Sequence, residues 1–315
     1  MTYVDQMPSD ADWAALTAVP EKRDAYARET YFREAWDDVV DVLGDSAAAV
    51  LGSLGLLSFK PEAVVGRRLR ATLHYVVDHG FVPAGVARLR YTRNSMRELW
   101  RYNWDVYTVD RIALATLMHS ATDTLLWLLR GPDPDDGVPA AVRLSELKGP
   151  AAVEERSGDH LRSVLRPPNE IVNFVHVADE PADIVRELGI LLARTERRRL
   201  LLDLRSGLGG DLSGHVAAEI GRLEADHAAH DLSFAASLER LQRSGAASPE
   251  TAELVRAAAG GERKLRWDEL CALIDPSSPR VDVWDFVLVA CDALPLERPG
   301  STELLPTGSA ADWTA

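Results

Sequence analysis

The stretch "AAAVLGSLGLLSF" (residues 47–59) is a run of small and apolar side chains that ends at Lys60 and Pro61. Proline lacks the backbone N–H that a strand interior needs, and it suits the first turn of a helix. The length of the run and the proline behind it therefore predict a buried strand over about residues 51–59, followed by a helix.

Three further stretches are predicted to be strands, namely "FVPAGVARLRY" (81–91), "DTLLWLLRG" (123–131) and "EIVNFVHVA" (170–178). Between the first two strands, "PEAVVGRRLRATLHYVVDHGF" has apolar residues at helical spacing. The resulting order is β-α-β-(αα)-β-α-loop-β-α, with one central antiparallel hairpin region. This is the split β-α-β pattern of an α+β, ferredoxin-like antiparallel sheet.

Both ends of the chain are predicted to be helical. Residues 1–46 are polar and carry apolar positions three and four apart, which indicates an N-terminal helical extension. A Gly-rich break, "SGLGGDLSG" (206–214), follows the predicted sheet region. We therefore divide the rest of the chain into a sheet-containing domain over 47–200, a helical C-terminal region over 201–300 and a loose tail over 301–315.

The charge balance of the chain limits the classes of partner. The 315 residues include 35 basic and 49 acidic side chains, and the formal net charge is −14. Binding to duplex nucleic acid needs a basic footprint that displaces counterions, so general nucleic-acid binding is not expected. A small anionic ligand needs only a local basic pocket and stays compatible with this charge.

Cysteine content and hydropathy indicate the setting of the protein. Cys271 and Cys291 form neither a disulfide framework nor a metal-type spacing, which favours a reducing, cytoplasmic location. The N-terminus has early acids and no apolar run typical of a signal peptide. No stretch reaches the roughly 18 uninterrupted apolar residues of a membrane span, so no membrane partner is expected.

Basic side chains and one histidine are predicted to converge at strand ends. Lys60 follows the first strand, and His176 lies in "NFVHVAD" (173–179). Arg143 lies in a short predicted helix and Arg162 in the long loop after it. Guanidinium groups match phosphate oxygens, and a histidine hydrogen-bonded through one ring nitrogen can attack phosphorus with the other. This set predicts phosphate binding and phosphoryl transfer.

Four fragments resemble, in order, segments of the nucleoside diphosphate kinase family. "FKPEAV" (59–64) is similar to the family's Lys-Pro-Asp-x-Val segment after the first strand, and "HGF" (79–81) to its Lys-Gly-Phe before the second. "NFVHVAD" is similar to its Asn-x-x-His-Gly-Ser-Asp active-site strand, and "DIVREL" (183–188) to the helix that follows. The resemblance covers roughly residues 50–193, within the domain predicted over 47–200.

The resemblance implies a ping-pong phosphotransferase in which His176 is the phosphohistidine nucleophile. Lys60 would contact the transferring phosphate and the sugar, and Asn173 a sugar hydroxyl. Glu187, eleven residues after His176 as in the family, would orient the imidazole. The other implied nucleotide-binding residues are Tyr102, Arg143 and Arg162. ATP or another nucleoside triphosphate would be the donor, and Mg²⁺ would be carried by the nucleotide phosphates without dedicated protein ligands.

The chain departs from the family pattern at several positions. Val177 and Ala178 stand where the family has glycine and serine, so the hydroxyl that links the glutamate to the active-site strand is missing. The threonine expected after Arg143 is also missing, and Lys148 could take over its phosphate contact. Two assignments stay open: Arg166 is the alternative to Arg162, and either Trp104 or Tyr107 would stack on the base.

Three functions are compatible with the sequence. The leading one is transfer of a γ-phosphate to a nucleotide or nucleotide-like acceptor. The second is a catalytically degenerate nucleotide-binding or scaffold protein whose helical extensions bind a protein partner. The third is a kinase of a secondary-metabolite acceptor. The resemblance also implies a homo-oligomer. Taken alone, His176 would be an ordinary core histidine, and only the ordered fragments around it favour a nucleophile.

Overall fold

A computed structural model describes the chain over residues 5–132, 136–207 and 210–314. The first four residues of the predicted extension, two residues of the Gly-rich break and the last residue of the predicted tail lie outside these ranges. Within them, no helix is both long enough and apolar enough to cross a membrane. The predicted division of the chain into four regions stays a prediction.

Four strands form one sheet: β1 (Leu54–Phe59), β2 (Val82–Leu89), β3 (Thr124–Arg130) and β4 (Val175–Val177). Their order across the sheet is β2-β3-β1-β4, and each neighbouring pair is antiparallel. Helices connect β1 to β2 and β3 to β4, which is the arrangement of a split β-α-β fold. The predicted α+β class with a ferredoxin-like antiparallel sheet is therefore confirmed.

The helices before β1 are α1 (Asp10–Leu16), α2 (Pro20–Tyr26), α3 (Thr30–Leu43) and α4 (Ala47–Gly52). Those from β1 to the Gly-rich break are α5 (Pro61–Val65), α6 (Leu69–Asp78), α7 (Arg93–Leu99), α8 (Val109–His119), α9 (Ala140–Lys148), α10 (Leu161–Leu165), α11 (Pro181–Leu191) and α12 (Arg194–Ser206). The rest are α13 (Ser213–Asp226), α14 (Phe234–Arg243), α15 (Pro249–Ala259), α16 (Trp267–Leu273), α17 (Val283–Ala293) and α18 (Ala310–Trp313). Two 3-10 turns lie at Gly44–Ser46 and Trp104–Val106.

The sheet is covered by helices on both faces, which explains why β1 is mostly apolar. All six residues of β1 are buried. Leu57 and Phe59 belong to the core that includes α17, whereas Leu54 and Leu56 belong to the core that includes α3 and α11. Strand side chains alternate between faces, so a strand that lies between two cores has apolar residues facing both of them.

Two predicted strand boundaries are wrong. β1 begins at Leu54 because residues 47–52 form helix α4. β4 begins only at Val175, so residues 170–174 of the predicted strand lie outside it. Phe174 has a φ of 71°, which an extended strand cannot contain. The backbone N–H of Phe174 donates instead to the buried carboxylate of Glu62, at 3.3 Å.

Helix α11 is clamped to the N-terminal helices by buried charges. Lys22 of α2 lies 3.0 Å from Glu180 and 2.6 Å from Asp183. Glu29 accepts a 2.6 Å hydrogen bond from Arg186 Nε. The helices α3 and α11 approach so closely that a Cβ atom at Gly189 would lie 2.2 Å from the Tyr31 carbonyl oxygen. Glycine is therefore required at this crossing.

We expect Glu29→Ala to lower the free energy of unfolding by about 3 kcal/mol, because it leaves the buried guanidinium of Arg186 without its carboxylate. Arg186 is 3% exposed, so water cannot replace the lost partner. Urea denaturation measures this change. Glu239→Ala, at an exposed position of α14, is the matched control and should change stability by less than about 0.5 kcal/mol. Equal effects of the two substitutions would contradict the clamp.

Candidate functional site

A cavity of 630 Å³ lies beside β4, large enough for a small-molecule ligand. Its walls come from segments that are far apart in the sequence: the end of β1, the α7–α8 region, the end of α9, helix α10 and the C-terminal tail. Four of the residues with a predicted site role line it, namely Lys60, Arg162, Asn173 and His176. The fold therefore brings together side chains that the sequence separates by more than a hundred positions.

The imidazole of His176 is held by a buried carboxylate. His176 lies opposite Ser58 of β1 in the sheet register. Its Nε2 lies 2.7 Å from Glu187 Oε1, and Glu187 is 4% exposed. A carboxylate accepts the Nε2–H, so the neutral ring keeps its lone pair on Nδ1. Within the described chain Nδ1 has no hydrogen-bond partner, and it is the nitrogen available for chemistry.

Lys60 and Asn173 form the next contact of the site. Lys60 Nζ donates to Asn173 Oδ1 at 2.6 Å and lies 5.6 Å from the ring centre of Trp100. Burial lowers the pKa of Lys60 to about 7; Glu62 opposes this shift, and the charge of Arg162 adds to it. The ammonium form of Lys60 is therefore poorly stabilised until an anion enters.

Three further cations line the cavity. Arg162 is 8% exposed and donates to the carbonyl oxygens of Gly149 and Val175, while its Nε has no partner in the described chain. Burial lowers the pKa of Arg162 to about 10. Burial also lowers the pKa of Arg111 and of Lys148. Together with Lys60, these groups form a cationic wall that a polyanion would stabilise.

One carboxylate already occupies part of this wall. Asp179 Oδ1 accepts a hydrogen bond from Ser145 Oγ at 2.6 Å and lies 3.4 Å from Lys148 Nζ. Burial raises the pKa of Asp179, but the charges of Lys148 and Lys22 outweigh burial and lower the value to about 2. Asp179 is therefore ionised, and it competes with any bound anion for Lys148.

Two predicted nucleotide-binding residues lie outside the cavity. Arg143 pairs with Asp136 and lines a separate cavity with His79 and His160. Tyr102 donates its hydroxyl to Glu29 Oε1 at 2.6 Å, so it belongs to the clamp on α11. Each side chain is held by a nearby acid that directs it away from the site.

Of the alternative site residues that the sequence offered, some line the cavity and one does not. Trp104 and Tyr107, the candidates for stacking on a base, line it. Arg166, the alternative to Arg162, does not. The residues that sequence reasoning missed as site members are Trp100, Arg111 and His119. They lie around helix α8, and no motif or spacing in the sequence distinguishes them from ordinary helix and core residues.

No protein-family model matches the sequence, and no curated protein is similar to it at a significant level. Among solved structures, an orthorhombic crystal form (C222) of the Aquifex aeolicus nucleoside diphosphate kinase is similar over 46% of this chain and 97% of that chain. The identity is 20% and the TM-score 0.38. The fold assignment rests on the order and antiparallel pairing of the four strands.

The lowered pKa of Lys60 predicts that anion binding takes up protons. Unliganded Lys60 is mostly neutral at about pH 8.5, because its pKa lies near 7, and a bound polyphosphate raises that pKa towards its ordinary value. We expect ATP binding at about pH 8.5 to take up close to one proton, and its affinity to fall as the pH rises above about 7.

Titration calorimetry in buffers of different ionisation enthalpy measures this uptake. Lys60→Met should abolish it, whereas Lys264→Met, at an exposed lysine outside the cavity, should leave it unchanged. The prediction fails if Lys60→Met binds ATP with the same proton uptake as the wild-type protein.

Proposed function

We propose that the protein is a phosphotransferase that takes the γ-phosphoryl group of a nucleoside triphosphate onto His176 and passes it to a nucleotide or nucleotide-like acceptor. One observation carries the proposal. The imidazole of His176 is fixed through Nε2 by a buried carboxylate and lies in a cavity whose other walls hold four cations with lowered pKa values. A nucleophile and charge neutralisation are what phosphoryl transfer needs from a protein.

The transfer step needs no general base, because the attacking nitrogen carries no proton. The lone pair of His176 Nδ1 forms a bond to the γ-phosphorus, and the bond from this phosphorus to the bridging oxygen breaks. The nucleoside diphosphate leaves with the electron pair. Glu187 keeps accepting the Nε2–H and stabilises the positive charge that develops on the ring. The second half-reaction reverses these bond changes with the acceptor phosphate as the attacking group.

The cationic wall is suited to the charges of a triphosphate. Arg162 lines the cavity, and Lys60 can leave or share Asn173 when a phosphate approaches. Trp100, Trp104 and Tyr107 add aromatic surface that can stack on a base. This combination of polyanion site and aromatic wall favours a nucleotide over an inorganic polyphosphate.

Magnesium enters this proposal as part of the substrate. In the described part of the chain, no group of three or more His, Cys, Asp or Glu side chains is arranged to hold a metal ion. In this proposal Mg²⁺ arrives on the nucleotide and neutralises phosphate charge there. The protein contributes binding through its own cations.

The second candidate function is nucleotide binding without transfer. Its support is the acidic content of the cavity: Asp179 pairs with Lys148, and Glu303 of the C-terminal tail also lines the wall. These carboxylates repel an incoming triphosphate and weaken the cationic side. A protein of this kind would bind ATP, and its binding would not depend on the imidazole of His176.

We expect wild-type protein incubated with γ-labelled ATP to form an acid-labile, base-stable phosphoenzyme, and His176→Gln to form none. Glutamine keeps the polarity of the side chain but lacks a nucleophilic ring nitrogen. Electrophoresis under alkaline conditions, with and without acid treatment, measures the label. His74→Gln, at an exposed histidine of α6, is the matched control and should label like the wild-type protein.

The same experiment separates the two candidate functions. Calorimetric binding of ATP with no label in the wild-type protein, unchanged by His176→Gln, would reject transfer and support the binding protein. Label that persists in His176→Gln would show that another residue is phosphorylated. Transfer of label from the wild-type phosphoenzyme to added diphosphates or other acceptors then identifies the acceptor class.

A further inference from the structure

A second imidazole lines the same cavity. His119 is the last residue of α8 and is 3% exposed. Its Nδ1 lies 2.8 Å from the carbonyl oxygen of Ala115, one helical turn earlier. A carbonyl oxygen can only accept, so Nδ1 carries the proton and the neutral ring keeps its lone pair on Nε2.

The Nε2 atom of His119 is buried and has no hydrogen-bond partner in the described chain. Buried polar atoms are nearly always paired, so an unpaired acceptor requires an explanation. Burial lowers the pKa of His119 to about 3, and the nearby charge of Lys60 adds to this shift. The ring is therefore neutral at ordinary pH and can only accept a hydrogen bond through Nε2.

His119 lies close to His176, the proposed nucleophile, because both rings contact the same tryptophan. The indole of Trp100 contacts both imidazoles, with ring centres 4.8 Å from His119 and 5.4 Å from His176. The ammonium group of Lys60 lies 5.6 Å from the same indole. A ligand that brings a phosphate to His176 and Lys60 therefore also brings its next atoms close to His119.

We propose that Nε2 of His119 accepts a hydrogen bond from an O–H or N–H donor on the non-phosphate part of the bound nucleotide, and so selects ligands that carry such a donor. The inference rests on the proposed function, because a nucleotide in the cavity is part of that proposal. An ionised phosphate has no donor to offer and is repelled by the lone pair. The chemistry of Nε2 therefore specifies a sugar hydroxyl or a base amino group.

Binding measurements with two kinds of ligand test the inference. We expect His119→Leu to weaken ATP binding about tenfold, the usual size of one lost hydrogen bond to a buried acceptor, and to leave the affinity for inorganic tripolyphosphate unchanged. His119→Gln places an amide oxygen near the position of Nε2 and should restore most of the ATP affinity. Titration calorimetry measures both ligands on each variant.

The source of the donor is found with nucleotide analogues. 2′-Deoxy-ATP, 3′-deoxy-ATP and a triphosphate of a base without an exocyclic amino group each remove one donor. The analogue that lacks the bonded donor should bind the wild-type protein about tenfold more weakly than ATP does. It should also bind wild-type protein and His119→Leu equally well.

A matched control separates ligand binding from a structural role. His79 directly follows helix α6 and also lies close to the carbonyl one turn earlier, with Nδ1 2.7 Å from Tyr75 O, but it lines another cavity. His79→Leu should bind ATP like the wild-type protein. If His119→Leu leaves ATP affinity unchanged, or weakens ATP and tripolyphosphate equally, the inference is overturned. Should His119→Leu fail to fold, as seen by circular dichroism, the analogue series on wild-type protein and His119→Gln decides.

The results that would reject phosphoryl transfer differ from those that would reject the hydrogen bond to His119. Wild-type protein that binds ATP but forms no phosphoenzyme would reject transfer, and the comparison of His119 variants would still test the hydrogen bond. Wild-type protein that binds tripolyphosphate and ATP equally well, with every analogue like ATP, would overturn the role of His119 alone. Absence of binding by both ligands would overturn both proposals.

Discussion

Every residue of helix α11 from Pro181 to Ile190 is buried, yet the helix carries charged side chains. A charge in such surroundings must have a partner. Asp183 forms an ion pair with Lys22, and Arg186 forms one with Glu29. Glu187 contacts the imidazole of His176. The requirement for pairing therefore joins the N-terminal helices to the candidate site through one helix. The orientation of His176 depends on a rigid element whose other face is held by buried ion pairs.

The sequence could predict the sheet but not the shape of its last strand. β1 and β3 are mostly apolar because both faces of the sheet are covered, and such runs are visible without a structure. The point where β4 begins depends on the hydrogen bond from the Phe174 backbone to Glu62. These residues are 112 positions apart, so no local sequence pattern encodes the contact. The same limit applies to the site. Lys60 and His176 could be predicted from the strand ends and the ordered fragments. Tyr102 and Arg143 instead pair with acidic residues outside the cavity, and only the fold brings those acids close.

The cavity gathers four basic side chains in a protein that is acidic as a whole. The chain carries a net charge of −14, but screening confines that repulsion to about 10 Å in ordinary salt, and the ligand meets mainly the local groups. In the cavity, burial disfavours the charged forms of Lys60, Lys148, Arg111 and Arg162 at once. A ligand with one negative charge can relieve only one or two of them. A polyphosphate spreads several charges over the whole wall, so the arrangement favours di- and triphosphates over monoanions.

The contact between Glu187 and His176 also bears on the missing serine at position 178. Glu187 reaches the imidazole directly, at 2.7 Å, so the ring is oriented without a hydroxyl at Ala178. The second carboxylate oxygen, Oε2, is buried and unpaired in the described chain, where a serine hydroxyl would have been a suitable donor. With no other donor to share its charge, the carboxylate acts more strongly on the Nε2–H of His176. A buried carboxylate oxygen without a donor costs stability of the folded protein, whereas the orientation of the His176 ring is kept by the direct contact with Glu187.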